Sequence, residues 1–284
     1  MAIKWFKKIW QRLSGKSPAV VSVLRLSGPI GMRSGLSKGL SLATVADSLD
    51  KLFADKSVEA AVVIVNSPGG SPVQAALIHD RIRSLAQDTE IEVLTFAEDV
   101  AASGGYMLAI AGDEIYAHEN SIVGSIGVIS AGFGFQHLIE KLGVERRVHT
   151  AGDRKGMLDP FKPEDPRDAA HLEALQREVH DSFTAMVRTR RKGKLSGDDK
   201  ELFSGMFWTG AKAKQLGLID GLGDMRSICR QKFGDDVEFR LIQPRRSWLG
   251  AERSGIQLTP SQQNWAQSLL ESIEDRALWA RFGL

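Results

Sequence analysis

Hydrophobic and polar positions follow two periods along the chain. Ala19 to Leu24 is a short β-branched run, Leu42 to Phe53 spaces its apolar residues as a helix does, and Ala60 to Val65 is nearly unbroken apolar sequence. The last pattern marks a strand covered on both faces. Asn66-Ser67-Pro68-Gly69-Gly70-Ser71 then breaks it. A helix is expected over Val73 to Leu85 and a strand over Ile91 to Phe96, followed by a second small-residue turn, Ala101-Ala102-Ser103-Gly104-Gly105, and a short apolar helix from Tyr106 to Ala111. Further strands are expected at Glu114 to Ala117 and Ile126 to Ile129, a polar helix over about Pro166 to Arg191, and a short one over Ala211 to Leu216. Strand and helix alternating at these lengths predict an α/β fold with a mostly parallel sheet covered by helices.

Neither an internal repeat nor a linker divides the centre, so residues 18–243 read as one domain between an N-terminal segment, 1–17, and a C-terminal extension, 244–284. The first of these holds Lys4, Lys7, Lys8, Arg12 and Lys16 and no acid. Ile3, Phe6, Trp10 and Leu13 recur at three- and four-residue spacing, which describes a basic amphipathic helix. It is either an interfacial membrane anchor through residues 1–14 or a terminal helix packed on its own domain or a neighbouring subunit. In the extension, Thr259-Pro260 offers a helix start that Trp265, Leu269 and Ile273 continue on one stripe.

Charge and composition narrow the partners. With 37 basic against 35 acidic side chains in 284 residues, the chain lacks the concentrated basic excess of a dedicated nucleic-acid binder. The N-terminal segment carries +5 of the +2 total, which leaves −3 for the rest. Lys7 and Lys8 interrupt any secretory h-region, and no apolar run approaches a membrane span. The lone Cys229 permits no internal disulfide. A cytoplasmic protein, peripheral on the cytoplasmic membrane face, is the expectation. No phosphate loop, Gly-x-Gly-x-x-Gly or metal-ligand spacing occurs, so neither cofactor nor metal is expected.

Both turns carry glycine pairs, but only the second sets a nucleophile-type side chain, Ser103, among small residues at the start of a helix. This resembles a nucleophile elbow with Ala101 in the first glycine's place. The strand ending in Pro68-Gly69-Gly70 exposes successive backbone N–H groups, which suit an oxyanion hole formed by Gly69 and Gly70. A serine needs a base. Among six histidines, His79, His171 and His180 fall in helices with charged neighbours and read as solvated, whereas His118 and His149 at strand ends remain candidates. Lys155, in the glycine-bounded loop Thr150 to Phe161, is the alternative, provided that burial keeps its amine neutral. Ser48-Leu49-Asp50-Lys51 matches a Ser-x-x-Lys spacing but lacks companion motifs and is treated as chance.

Asn66-Ser67-Pro68-Gly69-Gly70, Ala102 to Tyr106, Val123 to Val128, Lys155 with Leu158 to Phe161, Phe203-Ser204-Gly205, Trp208-Thr209-Gly210 and Leu216 to Gly221 together resemble the signal peptide peptidase A (protease IV) family and its single-domain relatives. The resemblance covers roughly residues 18–243. It implies a Clp-protease/crotonase-like fold, ring-shaped homo-oligomers, and a serine endopeptidase acting on apolar peptides such as signal-peptide remnants through a Ser-Lys dyad. The family's nucleophile falls on Ser103, its base on Lys155, its lysine-orienting serine on Ser125 and its oxyanion-hole amides on Gly69 and Gly70. Departures are Arg154 before the lysine and the absence of the family's membrane-spanning N-terminal helix. Two rival readings stand: a crotonase-type acyl-CoA enzyme, which would use glutamates such as Glu98 or Glu114, and a catalytically silent peptide-binding scaffold. Deleting residues 1–14 is expected to weaken flotation with anionic liposomes while leaving soluble-peptide cleavage intact; equal flotation of both forms refutes the anchor.

Overall fold

The central strand β2 (Ala60–Ser67) is buried along almost its whole length, because its alternate side chains face two different apolar layers. Ala61, Val63 and Val65 join Leu24 and Leu26 on one face, against Leu49, Ile78 and Leu108 of three covering helices. Ala60 and Val62 join Val21, Val23, Leu94 and Phe96 on the other, against Cys229. An apolar run without alternation is what a doubly covered parallel strand requires. The computed structural model describes residues 18–31, 39–243, 276 and 278–283; the amphipathic segment 1–17 and the expected helix start at Thr259-Pro260, with Trp265, Leu269 and Ile273, lie outside the described residues.

The elements run β1 (Val20–Ser27), α1 (Leu42–Leu52), β2, α2 (Pro72–Thr89), β3 (Glu92–Ala102), α3 (Gly104–Ala109), β4 (Glu114–Ala117), β5 (Ile122–Gly124), α4 (Gln136–Lys141), α5 (Pro166–Arg190), α6 (Asp199–Leu202), β6 (Phe207–Thr209), α7 (Gly210–Gln215), β7 (Gly221–Leu222), α8 (Met225–Phe233) and β8 (Glu238–Ile242). Among the described residues they form one sheet in the order β6-β5-β3-β2-β1-β8, with β4 pairing β3 and β7. Every pairing is parallel except β5 with β6. This is the α/β architecture, with a mostly parallel sheet under helices, that the hydrophobic periods predict.

Strand β3 changes partner along its length: Leu94–Ala97 pair with β4 and Val100–Ala102 with β5. The register against β2 shifts at the same point. Asn66 stitches the irregularity, its Oδ1 accepting from Val100 N at 3.2 Å and its Nδ2 donating to Asp99 at 2.8 Å. The strand expected at Ile126 to Ile129 does not form. The pairing strand is β5, and it stops at Gly124 because Ser125 takes a positive φ of 54°, which no extended strand tolerates.

The far end of α5 is tied to the sheet by a buried ion pair. Arg191, only 2% exposed, donates to Gly217 O at 2.9 Å and to Asp220 at 2.7 Å; Asp220 also takes Lys194 and the Ile115 amide. Tyr106 of α3 donates to Leu218 O beside it. Burial pushes the Asp220 carboxyl up, but the hydrogen bonds from Arg191 and Lys194 outweigh it and hold the group below its ordinary value. Arg191→Ala is expected to cost about 3–5 kcal/mol in denaturant unfolding, because it leaves a half-buried carboxylate short of its main partner. A carboxyl held low stabilises the fold above its unfolded value, near pH 4, and loses that contribution as pH falls through the folded value. The stability gap between wild type and variant should therefore narrow in acid.

Candidate active site

Ser103 stands alone between β3 and α3, with φ 54° and ψ −123°. A non-glycine residue in that region carries about 1–3 kcal/mol of strain. The strain is held by the Ser103 amide, which donates to Gly124 O of β5 at 2.8 Å. The turn projects the side chain at the end of the sheet, next to the loop that leaves β2.

That loop approaches so closely that side chains are excluded. A Cβ on Gly69 would stand 2.7 Å from Cβ of Ser103, and one on Gly70 would stand 2.0 Å from Ile30 O. Both glycines have positive φ, 102° and 138°. The Ile30 segment clamps them, Ile30 N donating to Gly69 O and Ser71 N to Ile30 O, each at 2.8 Å. The Gly69 amide donates to Ser67 Oγ at 3.2 Å. The Gly70 amide makes no hydrogen bond among the described residues, and that of Gly104, the first residue of α3, has no intrahelical acceptor. Two free N–H groups thus flank the serine. The sequence reading assigned the oxyanion hole to Gly69 and Gly70 and did not consider Gly104, although the amide after an elbow nucleophile is a regular donor.

Ser103 opens into a cavity of about 740 Å³. Gly70, Gly104 and Ser125 line it with apolar side chains that include Met107, Ile129, Phe183 and Phe203. Ser125, 8% exposed, donates its amide to Met206 O at 2.7 Å. The C-terminal segment contributes Leu278, Arg281 and Phe282, the last set edge-on to Phe207 at 5.0 Å and packed on Val100 and Ala102.

Lys155 does not line this cavity. It is exposed, and its ammonium makes no hydrogen bond or ion pair among the described residues. Its loop is held at the start of α5, where Arg154 pairs with Asp168 at 2.8 Å and Leu158 N donates to the same carboxylate at 3.3 Å. His180 lies twelve residues further along α5, about 18 Å at 1.5 Å per residue, and it is this residue that reaches the cavity. Neighbouring Asp159 is not the lysine's ion-pair partner, since Arg146 takes it.

The histidines are arranged differently from the sequence reading. His118 lines a separate cavity of about 600 Å³ with Arg25 and Asp99, and His149 is exposed. His79, read as solvated, is buried with an unpartnered Nε2, and burial holds its imidazole below the ordinary value. His180, also read as solvated, lines the Ser103 cavity and donates from Nε2 to Ile126 O at 3.2 Å. Its signal was in the sequence: it precedes the buried Phe183 and Val187 by three and seven residues, on one helical face. Glu98 pairs with Arg25 and Glu114 with Lys232, so neither glutamate serves the free amides. Among the described residues no His, Cys, Asp and Glu cluster could hold a metal. Burial pushes the Cys229 thiol up to about 11, which makes it unreactive.

A strained serine at a strand-to-helix turn, flanked by two amides without a hydrogen-bond partner among the described residues, thus sits at the end of a mostly parallel α/β sheet of the Clp-protease/crotonase-like kind. The chain belongs to peptidase family S49, whose model matches residues 85–233. It is 54% identical over 273 residues to a Brucella abortus protein named Na(+)/H(+) antiporter NhaA, which covers 93% of this chain but 37% of that protein. Over the described residues no helix is long and apolar enough to cross a membrane. It is 31% identical over 227 residues to the chloroplastic serine protease SPPA of Arabidopsis thaliana, covering 75% of this chain and 32% of that one. Across these and other leading curated relatives the chain spans between 32% and 65% of their length. The solved 1510-N membrane-bound stomatin-specific protease shares the fold, at TM-score 0.51 and 16% identity, over 81% of this chain and all of that one.

Gly70→Ala should force the Ile30 segment away. It is expected to slow covalent labelling of Ser103 by a fluorophosphonate by about 10²-fold or more, and an unchanged labelling rate would remove Gly70 from the oxyanion hole.

Proposed function

We propose that the chain is a serine endopeptidase in which Ser103 attacks apolar peptides, with Lys155 as base supplied by a second copy in a homo-oligomeric ring. The observation that carries the reading is the strained Ser103 between the free amides of Gly70 and Gly104. The neutral Lys155 amine takes the Ser103 proton as Oγ attacks the scissile carbonyl. The Gly70 and Gly104 amides hold the oxyanion, and the resulting ammonium returns the proton to the leaving amine. Water then hydrolyses the acyl-serine by the same route, so no cofactor is needed. We assign the role of receiving the lysine amine to Ser125, which lines the cavity and whose hydroxyl has no partner among the described residues.

An exposed apolar surface supports assembly across copies. Residues 128–165 carry Lys155 on a stretch that leaves Ile129, Phe133, Leu138, Leu142 and Val144 exposed, and α4 within it buries no residue. An apolar surface of this kind calls for a partner, and a second copy both covers it and returns a lysine to a serine. The apolar lining of the cavity suits apolar side chains, as in signal-peptide remnants or other membrane-derived peptides. We place the protein at the cytoplasmic face of a membrane, held through residues 1–14.

An acyl-CoA reading is disfavoured, because Glu173 is the one carboxylate lining the cavity among the described residues. Ser103→Ala and Lys155→Ala should each lower peptide turnover by at least about 10³-fold. Co-refolding the two inactive variants should restore up to about a quarter of wild-type activity, since a mixed ring rebuilds some intact serine–lysine pairs. Full activity in either single variant sinks the dyad, and no recovery on mixing confines it to one chain.

A further inference from the structure

The structure assigns to His180 a role as positioning residue for the wall that carries Ser125, an inference that rests on the peptidase reading above. His180 sits half-buried on α5 and donates from Nε2 to Ile126 O at 3.2 Å. Ile126 follows Ser125 directly, and Ser125 has the left-handed φ of 54° that a side-chain-bearing residue holds only under restraint. Residues 124–127 are otherwise held by the fully buried Ile126 side chain, by the sheet pairing of Gly124 with Ala102 and Phe207, and by the backbone bonds Ser103 N to Gly124 O, Ser125 N to Met206 O and Gly127 N to Ser125 O. Among the described residues the imidazole makes the only side-chain hydrogen bond to this turn. It therefore couples α5, which lines the cavity through Glu173, Arg177 and Phe183, to the segment that carries Ser125, which lines the same cavity.

The donor must be Nε2–H, because the carbonyl can only accept. That proton is present both in the neutral tautomer and in the imidazolium, so the tie survives titration of the ring. The charged groups around it are Glu173 and Arg177 on α5, paired at 3.6 Å, and Arg281 of the C-terminal segment. None of them competes for Ile126 O. A positioning role thus predicts a kcat loss without a change in the shape of the pH profile, whereas a role as proton acceptor predicts loss of the acid limb.

His180→Leu is expected to lower kcat, and the rate of fluorophosphonate labelling at Ser103, by about 10- to 100-fold with little change in KM. His180→Gln, which restores an N–H at similar reach, should recover most of the loss. Hydrogen exchange of the peptide spanning residues 122–128 should rise in H180L and stay at the wild-type level in H180Q. His180→Asn, one methylene too short, carries the same expectation as H180L if that variant does not fold. Wild-type kcat and exchange in H180L would overturn the assignment. So would H180Q as impaired as H180L with the acid limb of kcat/KM abolished, which would make the imidazole the base. Absence of any Ser103 label in the wild type would count against the peptidase reading; the exchange measurement then still decides the His180 tie.

Discussion

The structure depends on three backbone segments meeting within van der Waals distance at Ser103. The end of β2 passes so near that a methyl group on Gly69 would collide with the serine Cβ at 2.7 Å, while the serine amide is bound to Gly124 of β5. Ser103 can hold its unfavourable dihedrals only because β2, β3 and β5 are already aligned by the sheet, whose burial supplies the favourable free energy that offsets about 1–3 kcal/mol of local strain. The exchange of partners along β3 is part of the same constraint. Pairing with β4 first and β5 afterwards lets β5 end beside Ser103, and Asn66 satisfies the backbone and side-chain groups where the register breaks.

The electrostatics separate a satisfied scaffold from an exposed stretch around Lys155. Arg191 and Asp220 are satisfied inside the fold with the exposed Lys194 pairing from outside, and Arg190 caps the carbonyls of Ile110 and Gly112 at the end of α3. In the stretch that bears Lys155, by contrast, Arg154 and Arg146 are paired with Asp168 and Asp159, which leaves the lysine without a counter-ion among the described residues. Family membership makes the chain an S49 peptidase, and the strained Ser103 between two partnerless amides is the feature on which the proposed chemistry rests.

Much of the fold was legible because it is written in local periods. The buried run at Ala60 to Val65, the helical spacing of Leu42 to Phe53 and the two glycine turns each correspond to observed elements. The candidate nucleophile was equally legible, since Ser103 lies in a turn that short-range chemistry marks. The strand placed at Ile126 to Ile129 failed for a long-range reason: β5 exists only where β3 and β6 present edges to it, and its three residues carry too little pattern to be seen alone. His79 and His180 were misread because charged neighbours outweighed their spacing to Ala75, Ile82, Phe183 and Val187, residues that proved buried.

By itself the sequence determined the parallel α/β sheet, the site of the strained serine and the glycine loop beside it, because each depends on contacts within a few residues or on one strand's two faces. Only the tertiary structure decided that Gly104 rather than Gly69 offers the second free amide, that His180 reaches the cavity, and that Lys155 is exposed and does not line it. Those facts depend on how a 25-residue helix lies across the sheet and where it pins the loop before it. Such distances are set by packing between residues tens of positions apart, and no local period encodes them.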